Sequence, residues 1–330
     1  MEFLNKSISI GNIKLSNRLV MPPMATAKSE GDGKVSSGII DYYDEKSKGG
    51  HIGLIIIEHS YISPEGKASA NQLSIADDSV VENLKKLSEV IHKNGSKAIM
   101  QINHAGSVAS AEITGYTPVA PSAVPHPRNQ KGAIPKELTP EEINGIISSF
   151  ANAAKRVKDA GFDGVEIHSA HGYLLSQFLS PISNKRSDEY GGNVLNRIKI
   201  HLQVIDAVKK AVGEDFTVFL RLGASDYMEG GTTIEDSTIA AREFQKAGVA
   251  ALDISGGFCG YSKPDAKEQG YFWPLTKAIK EQVSIPVILT GGITEPEAAE
   301  QLLTDGKADL IGVGRIILND SDWAARAMGI

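Results

Sequence analysis

The chain has 330 residues, of which 41% are hydrophobic and 22% are charged, a composition that suits one large α/β barrel or two medium domains. The formal charge of −6 arises from 34 basic and 40 acidic residues without long runs of one sign. This pattern excludes the electrostatic footprint of a protein that binds nucleic acid or anionic lipid. We therefore expect a small-molecule partner, with no nucleic acid and no membrane.

The single cysteine, Cys259, cannot form an internal disulfide framework, and one thiolate is too few for a cysteine-ligated iron–sulfur cluster or zinc site. The longest apolar run, Leu54–Ile57, is far shorter than the roughly 20 residues of a membrane-spanning helix. The segment Met1–Lys6 lacks the hydrophobic core of a signal peptide. We expect a soluble protein in a reducing cytoplasm.

Short apolar runs rich in β-branched residues recur along the chain and predict strands. Ahead of them, Ser7–Ile10 and Ile13–Leu15 flank Gly11-Asn12, a pattern that predicts a small hairpin. The eight strands predicted after it are Arg18–Pro22, Gly53–Glu58, Lys97–Ile102, Gly164–His168, Thr217–Leu222, Ala251–Ser255, Pro286–Leu289 and Leu310–Val313.

Each predicted strand is followed by a segment whose apolar residues have helical spacing. The predicted helices are Gly38–Gly49, Val80–Asn94, Pro140–Ala160, Val194–Val212, Ile234–Ala247, Trp273–Glu281, Glu295–Leu303 and a weaker one after Arg315. Strands and helices that alternate in this way are typical of a parallel sheet covered by helices.

Eight such units predict a (β/α)8 TIM barrel, a single domain spanning residues 1–330, with the N-terminal hairpin closing the barrel bottom. The stretch Tyr116–Pro135 has no periodicity and is interpreted as a long loop after the third strand. The alternative is a doubly wound open sheet, which needs a glycine fingerprint after its first strand. Met21-Pro-Pro-Met24 stands there instead.

Functional residues of a barrel gather where its strands end, and the fourth strand ends with His168, His171 and Tyr173. Two imidazole donors could bind one substrate oxygen, while a phenol with an ordinary pKa near 10 stays protonated and can donate. The competing interpretations are two capping histidines with a packed tyrosine, or a metal site. A metal site lacks an obvious third ligand.

A second group of residues follows the seventh and eighth strands, where barrels usually bind phosphate. Gly291, Gly292 and Gly314 allow backbone N–H groups to approach phosphate oxygens, and Arg315 can add a charge-assisted hydrogen bond. The same glycines could serve only as tight turns. The remaining polar residues at strand ends, which suit the pyrimidine edge and reduced ring of a flavin, are Gln101, Arg221, Ser255, Gly256 and Gly257.

Several motifs, taken together, resemble one known family over nearly the whole chain. The motifs are Asn17-Arg-Leu-Val-Met-Pro-Pro-Met24, Gln101-Ile-Asn-His-Ala-Gly106, Glu166-Ile-His-Ser-Ala-His-Gly-Tyr173, Gln177-Phe-Leu-Ser-Pro-Ile-Ser-Asn184 and Arg186-Ser-Asp-Glu-Tyr-Gly-Gly192. By these motifs the chain resembles the Old Yellow Enzyme group of FMN-containing ene-reductases, also called NADH:flavin oxidoreductases.

The resemblance implies that FMN is the cofactor and that NADH or NADPH reduces it before an α,β-unsaturated carbonyl substrate enters the same cavity. His168 and His171 would bind the substrate's carbonyl oxygen, hydride from flavin N5 would add at the β-carbon, and Tyr173 would protonate the α-carbon. The resemblance and the strand-end residues together give the predicted FMN contacts, which are Pro23, Met24, Ala25, His59, Gln101, Arg221, Ser255, Gly256, Gly257, Gly291, Gly292, Gly314 and Arg315.

Three positions depart from the family pattern. Ala25 stands where relatives often carry Cys or Thr, His59 replaces a small residue, and Ser107 stands where many relatives have arginine. Longer relatives carry an iron–sulfur cluster and further domains, an arrangement that a single cysteine and this length do not predict. Two alternative functions stay open: a flavin-free, phosphate-binding lyase or isomerase, and a flavin-binding redox sensor. A homo-oligomer is also left open.

Overall fold

A computed structural model describes residues 1–330 as a closed barrel of eight parallel strands wrapped by helices. The strands are β1 Ile8–Ile10, β2 Ile13–Leu15, β3 Leu19–Met21, β4 Leu54–Tyr61, β5 Lys97–Asn103, β6 Val119–Ala120, β7 Lys136–Glu137, β8 Gly164–Ser169, β9 Thr217–Gly223, β10 Ala251–Ser255, β11 Val287–Thr290 and β12 Leu310–Gly312. The barrel runs β3-β4-β5-β8-β9-β10-β11-β12 and closes on itself. The predicted TIM barrel is therefore confirmed.

Helices lie between successive barrel strands. They are α1 Ser37–Ser47, α2 Val81–Lys93, α3 Ala111–Thr114, α4 Pro140–Asp159, α5 Leu174–Leu179, α6 Val194–Arg197, α7 Lys199–Val212, α8 Ile234–Lys246, α9 Trp273–Lys280, α10 Pro296–Thr304, α11 Arg315–Asn319 and α12 Trp323–Met328, and short 3-10 helices cover Lys48–Gly50, Pro64–Gly66, Asp78–Val80 and Gly106–Val108. The apolar faces of the longer helices join the outward strand residues in one cluster of 68 buried residues. None of the helices has both the length and the hydropathy needed to cross a bilayer.

The N-terminal hairpin caps one end of the barrel. Strands β1 and β2 pair antiparallel across Gly11, whose φ of +54° favours glycine. Ile10, Ile13 and Leu15 are at most 3% exposed and pack in a separate 11-residue cluster with inward residues of the barrel strands. That cluster includes Val20 and Leu54, near the start of the first two barrel strands, so the opposite, C-terminal end is left for a binding site.

Four elements differ from their prediction, the first being the four-residue helix α3, which was not predicted. The predicted helix Val194–Val212 is divided at Ile198 into α6 and α7. Helix α5 was not predicted, because all six of its residues are buried and no polar face marks a helical period. The stretch Tyr116–Pro135 contains β6, which pairs with β7 just beyond it, so this segment is not entirely without regular structure.

Candidate active site

A cavity of about 680 Å³ opens at the C-terminal ends of the barrel strands, within the size range of small-molecule and cofactor sites. It brings together most residues that the sequence predicted. Those that line it are Pro23, Met24, Ala25, His59, Gln101, His168, His171, Tyr173, Arg221, Gly291, Gly292, Gly314 and Arg315. With Tyr261 and Tyr271 from the segment after β10, residues from all eight barrel strands or the segments after them meet in one place.

Ser255, Gly256 and Gly257, predicted as cofactor contacts, do not line this cavity. Ser255 Oγ lies 2.8 Å from Nε2 of His171, and the carbonyl of Gly256 accepts the backbone N–H of His171 at 3.0 Å. A Cβ added to Gly256 would lie 2.2 Å from Sγ of Cys259, which leaves no room for a side chain. The structure thus places this segment behind His171, where it supports the loop after β8.

His168, His171 and Tyr173 form a compact aromatic group at the end of β8. The ring centroids of His168 and His171 are 5.1 Å apart, and those of His168 and Tyr173 are 5.2 Å apart. His171 adopts a φ of +61°, which is unusual for a residue with a side chain and costs on the order of 1 kcal/mol. Its carbonyl accepts a hydrogen bond of 3.3 Å from Nη2 of Arg128, which adds a second tether to that of Gly256.

Electrostatics keep these three groups uncharged. Burial, followed by the nearby His171 and Arg221, holds the pKa of His168 well below its usual 6.5. Burial and Arg221 have the same effect on the pKa of His171. Burial raises the pKa of Tyr173 above 10. Each group is therefore a neutral N–H or O–H donor at pH 7, and no group of three or more potential metal ligands occurs in the chain.

A buried polar cluster borders the cavity: Gln101, Arg221 and Thr290 line it, and Glu166 and Asp253 lie next to them. Strand register explains it, since Gln101 pairs with Glu166 across β5 and β8, and Arg221 pairs with Asp253 across β9 and β10. Gln101 Nε2 donates to Glu166 Oε1 at 2.7 Å. Arg221 Nε lies 3.0 Å from Asp253 Oδ2, close enough for an ion pair although the angle is too poor for a hydrogen bond.

Asp253 is thus the acid that a buried arginine within a strand requires. One arginine beside two buried carboxylates leaves an excess negative charge, which burial makes costly. Burial and the charge of Asp253 raise the pKa of Glu166 to about 8, and burial raises the pKa of Asp253. The carboxyl pair therefore retains a proton at neutral pH, a feature that the sequence did not reveal.

The rim of the cavity between β11 and β12 has the features of a phosphate site. Gly292 has a φ of +65°, and a Cβ there would lie 2.6 Å from the ring of Tyr271. Gly314 lies close to Met24, whose Sδ would be 3.1 Å from an added Cβ. Arg315 is within 3.5 Å of the Tyr271 hydroxyl and forms no ion pair with any acid of the chain. Exposed backbone and an unpaired guanidinium suit a phosphate dianion.

The polar residues at the two ends of the cavity fit the two ends of FMN, its ring and its phosphate. Arg221 carries a positive charge at the polar end, and the rim with Gly292, Gly314 and Arg315 offers a phosphate site at the other. His168, which lines the cavity, has a buried Nδ1 without a hydrogen-bond partner, as expected where a polar ligand completes the network.

Two supporting residues escaped sequence reasoning. Glu58, 1% exposed, accepts the backbone N–H of Thr26 at 2.8 Å and its hydroxyl at 2.7 Å, which fixes the loop that carries Met24 and Ala25. Gln177 donates to the carbonyl of Gly172 at 2.7 Å and accepts from the N–H of Ser107 at 3.1 Å, which joins the loops after β5 and β8. Glu58 was predicted only as the end of a strand, and Gln177 appeared only as the first residue of one of the motifs, so neither had a predicted role.

Comparison with known proteins agrees with this site. The model of the NADH:flavin oxidoreductase / NADH oxidase family matches residues 4–329. An NADH oxidase of Thermoanaerobacter brockii is 44% identical over 324 residues, which are 96% of this chain and 49% of that protein. The chain spans about half the length of the curated relatives it matches.

Solved structures share the fold. A 2-naphthoyl-CoA reductase in complex with 2-naphthoyl-CoA superposes with a TM-score of 0.94 at 28% identity, covering 99% of this chain and 52% of that one. An old yellow enzyme homologue from Zymomonas mobilis gives a TM-score of 0.84 at 28% identity, covering 99% and 92%. The chain belongs to the NADH:flavin oxidoreductase / NADH oxidase family, in agreement with the resemblance of its motifs to the Old Yellow Enzyme group.

Proposed function

We propose that the chain, as one FMN-binding domain of residues 1–330, reduces the C=C bond of α,β-unsaturated carbonyl compounds with NADH or NADPH. The observation that supports this most is the group of three neutral donors, His168, His171 and Tyr173, with ring centroids 5.1 and 5.2 Å apart at the edge of the cavity. Reduction of an activated alkene needs an oxyanion site and a separate proton donor, and these three residues offer both.

His168 and His171 would donate hydrogen bonds to the carbonyl oxygen of the substrate. Both imidazoles are neutral, so each has one N–H that can donate a hydrogen bond to this oxygen. These hydrogen bonds stabilise the negative charge that develops on the oxygen. FMN bound in the cavity would supply the hydride that the β-carbon receives, after taking one from the nicotinamide. Tyr173, protonated at pH 7, would deliver the proton to the α-carbon and regain one from solvent.

The cofactor would be held at two places. Ala25, His59, Gln101 and Arg221 surround the part of the cavity that suits the ring, with Arg221 able to stabilise a reduced, anionic ring. Gly291, Gly292, Gly314 and Arg315 would hold the phosphate. Because the chain belongs to a flavin oxidoreductase family, the alternative of a flavin-free lyase or isomerase is no longer supported. The alternative of a flavin-binding redox sensor is decided by the following test.

The test combines cofactor content with turnover. We expect the purified chain to bind FMN. Without oxygen, it should oxidise only as much NADH or NADPH as there is bound FMN until cyclohexenone is added, and should then turn over continuously with cyclohexanone formed in equal amount. FMN-free chain serves as the control and should be inactive. Bound FMN that is reduced by nicotinamide but never reoxidised by enones would contradict the proposal and favour a sensor.

A further inference from the structure

His59, near the end of β4, lies on the cavity wall in an unusual position among the site's aromatic groups. Its ring stacks on that of Tyr173, with centroids 5.3 Å apart and planes 28° apart, and lies 6.3 Å from the ring of His168. The two nitrogens of this ring have different surroundings. Nδ1 is near Gln72 and Asn103, whereas Nε2 has no hydrogen-bond partner within the protein.

Gln72, which is 3% exposed, has an amide whose orientation is fixed by backbone groups. The N–H of Ala68 donates to Oε1 of Gln72 at 2.6 Å, and Nε2 of Gln72 donates to the carbonyl of His59 at 3.1 Å. A backbone N–H cannot accept and a carbonyl cannot donate, so exchanging the two ends of the amide would break both hydrogen bonds.

This orientation determines which nitrogen of His59 carries the proton. Nε2 of Gln72 lies 2.8 Å from Nδ1 of His59 and, being a donor, requires Nδ1 to accept. Burial, followed by the charge of Arg221, lowers the pKa of His59 to about 4, so the ring is neutral at pH 7. A neutral imidazole has one N–H, and with Nδ1 accepting, that N–H is on Nε2.

Strand order indicates what this N–H meets. Strand β4 lies between β3 and β5 in the barrel, and the cavity is lined on either side of His59 by Ala25, after β3, and Gln101, in β5. A ligand that contacts both Ala25 and Gln101 must therefore pass His59. The proposal below rests on FMN binding, which family membership supports, and not on the identity of the oxidising substrate.

We propose that Gln72 is a positioning residue that holds His59 as its neutral Nε2–H tautomer, so that His59 donates a hydrogen bond to the edge of the FMN ring. A donor at an edge that becomes more electron-rich on reduction binds reduced FMN more tightly than oxidised FMN. His59 would thus make the bound flavin easier to reduce, in addition to the contribution of Arg221.

The tautomer can be read from the FMN-free chain by ¹⁵N NMR of the histidine side chains, at pH 7. Eight histidines are present, and the signal of His59 is identified by its loss in His59→Phe. We expect the protonated nitrogen to be Nε2 in the wild type. In Gln72→Leu, which removes the donor to Nδ1, the two tautomers should mix, whereas Gln282→Leu, at an exposed position, should leave the spectrum unchanged. A wild-type proton on Nδ1 would overturn the proposal.

The second readout is the midpoint potential of FMN bound to the full chain. In His59→Phe, which keeps a ring but removes the donor, we expect the preference for reduced over oxidised FMN to fall about tenfold, a shift of about 30 mV to more negative potential for a two-electron couple. His59→Gln retains an N–H donor and should restore part of the shift. Equal potentials in the wild type and His59→Phe would refute the hydrogen bond to FMN; enone reduction could still proceed, so the two proposals fail separately.

Discussion

At the level of single residues, the site depends on imidazoles that remain neutral next to a buried arginine. Arg221 lies in the strand beside β8, where it pairs in register with His168, and its charge opposes protonation of His59, His168 and His171. The same charge is partly balanced by Asp253, 3.0 Å away. The site therefore offers neutral donors together with one fixed positive charge.

The oxyanion role of the two histidines makes a prediction about inhibitors. Phenolates mimic the enolate that forms during alkene reduction, so replacing His168 and His171 together by Ala should weaken binding of a simple phenol by about 100-fold or more, since each hydrogen bond to a charged oxygen contributes about 1.5–3 kcal/mol. Binding is measured from the change in flavin absorbance. His92→Ala, on helix α2, is the control, and an unchanged affinity in the double variant would remove the histidines from this role.

Which of these residues could be found from the sequence depended on how local their signal is. His168, His171 and Tyr173 share one short segment after an apolar strand, and the glycines at the barrel rim follow strands in the same way. The roles of Asp253 and Glu166 depend on the register between neighbouring strands that are distant in sequence. The role of Gln72 depends on its contact with His59, 13 residues earlier. Such pairings leave no local pattern, and for that reason they were missed.

At the level of elements, the strands were predictable because their cores are short, β-branched and buried. Strand β10 has the predicted bounds, while β4 runs to Tyr61, three residues beyond the predicted end, as the chain continues into the site. The helices that were missed or divided, α3, α5 and α6, have only four to six residues, too few for an amphipathic period to develop.

The hairpin formed by β1 and β2 should contribute to stability without contributing to the site. Leu15 is fully buried in the cluster at the closed end of the barrel, so Leu15→Ala should lower the free energy of unfolding by about 2–5 kcal/mol. FMN affinity should be unchanged, because the cavity lies at the opposite end. Urea denaturation and FMN titration measure the two quantities, with the exposed neighbour Lys14→Ala as control. If Leu15→Ala lowered the FMN affinity along with the free energy of unfolding, the hairpin would contribute to the site, contrary to this prediction.

For the whole molecule, buried titratable groups predict how stability depends on pH. Burial lowers the folded-state pKa of six histidines: His59, His104, His126, His168, His171 and His201. Below their unfolded pKa of about 6.5, the unfolded chain binds protons that the native chain does not. Each histidine then costs on the order of 1 kcal/mol as the pH falls from 6.5 to 5.5. Stability should decline on the acid side.

The carboxyl pair acts in the opposite sense. The pKa of Glu166 is raised from 4.5 to about 8, so between these two pH values the native chain holds a proton that the unfolded chain has lost. The stabilisation is fully present below about pH 4.5 and is lost progressively as the pH rises to 8. The melting temperature should thus be highest near pH 6.5–7.5, with the steeper decline below it. Glu166→Gln should flatten the decline above the maximum and steepen the decline below it, because the Glu166 contribution opposes that of the histidines on the acid side. A melting temperature that rises from pH 7 to pH 5 would contradict the assignment of buried neutral histidines.

The central claim is that His168 and His171 bind the substrate oxygen while Tyr173 donates the proton. Separate measurement of the two half-reactions tests it most directly. In anaerobic stopped-flow experiments, Tyr173→Phe should leave reduction of bound FMN by NADH within about twofold of the wild type. Reoxidation by cyclohexenone should slow by about 100-fold or more, because the α-carbon loses its proton donor. Equal slowing of both half-reactions, or no slowing of either, would contradict the assignment of Tyr173 as proton donor.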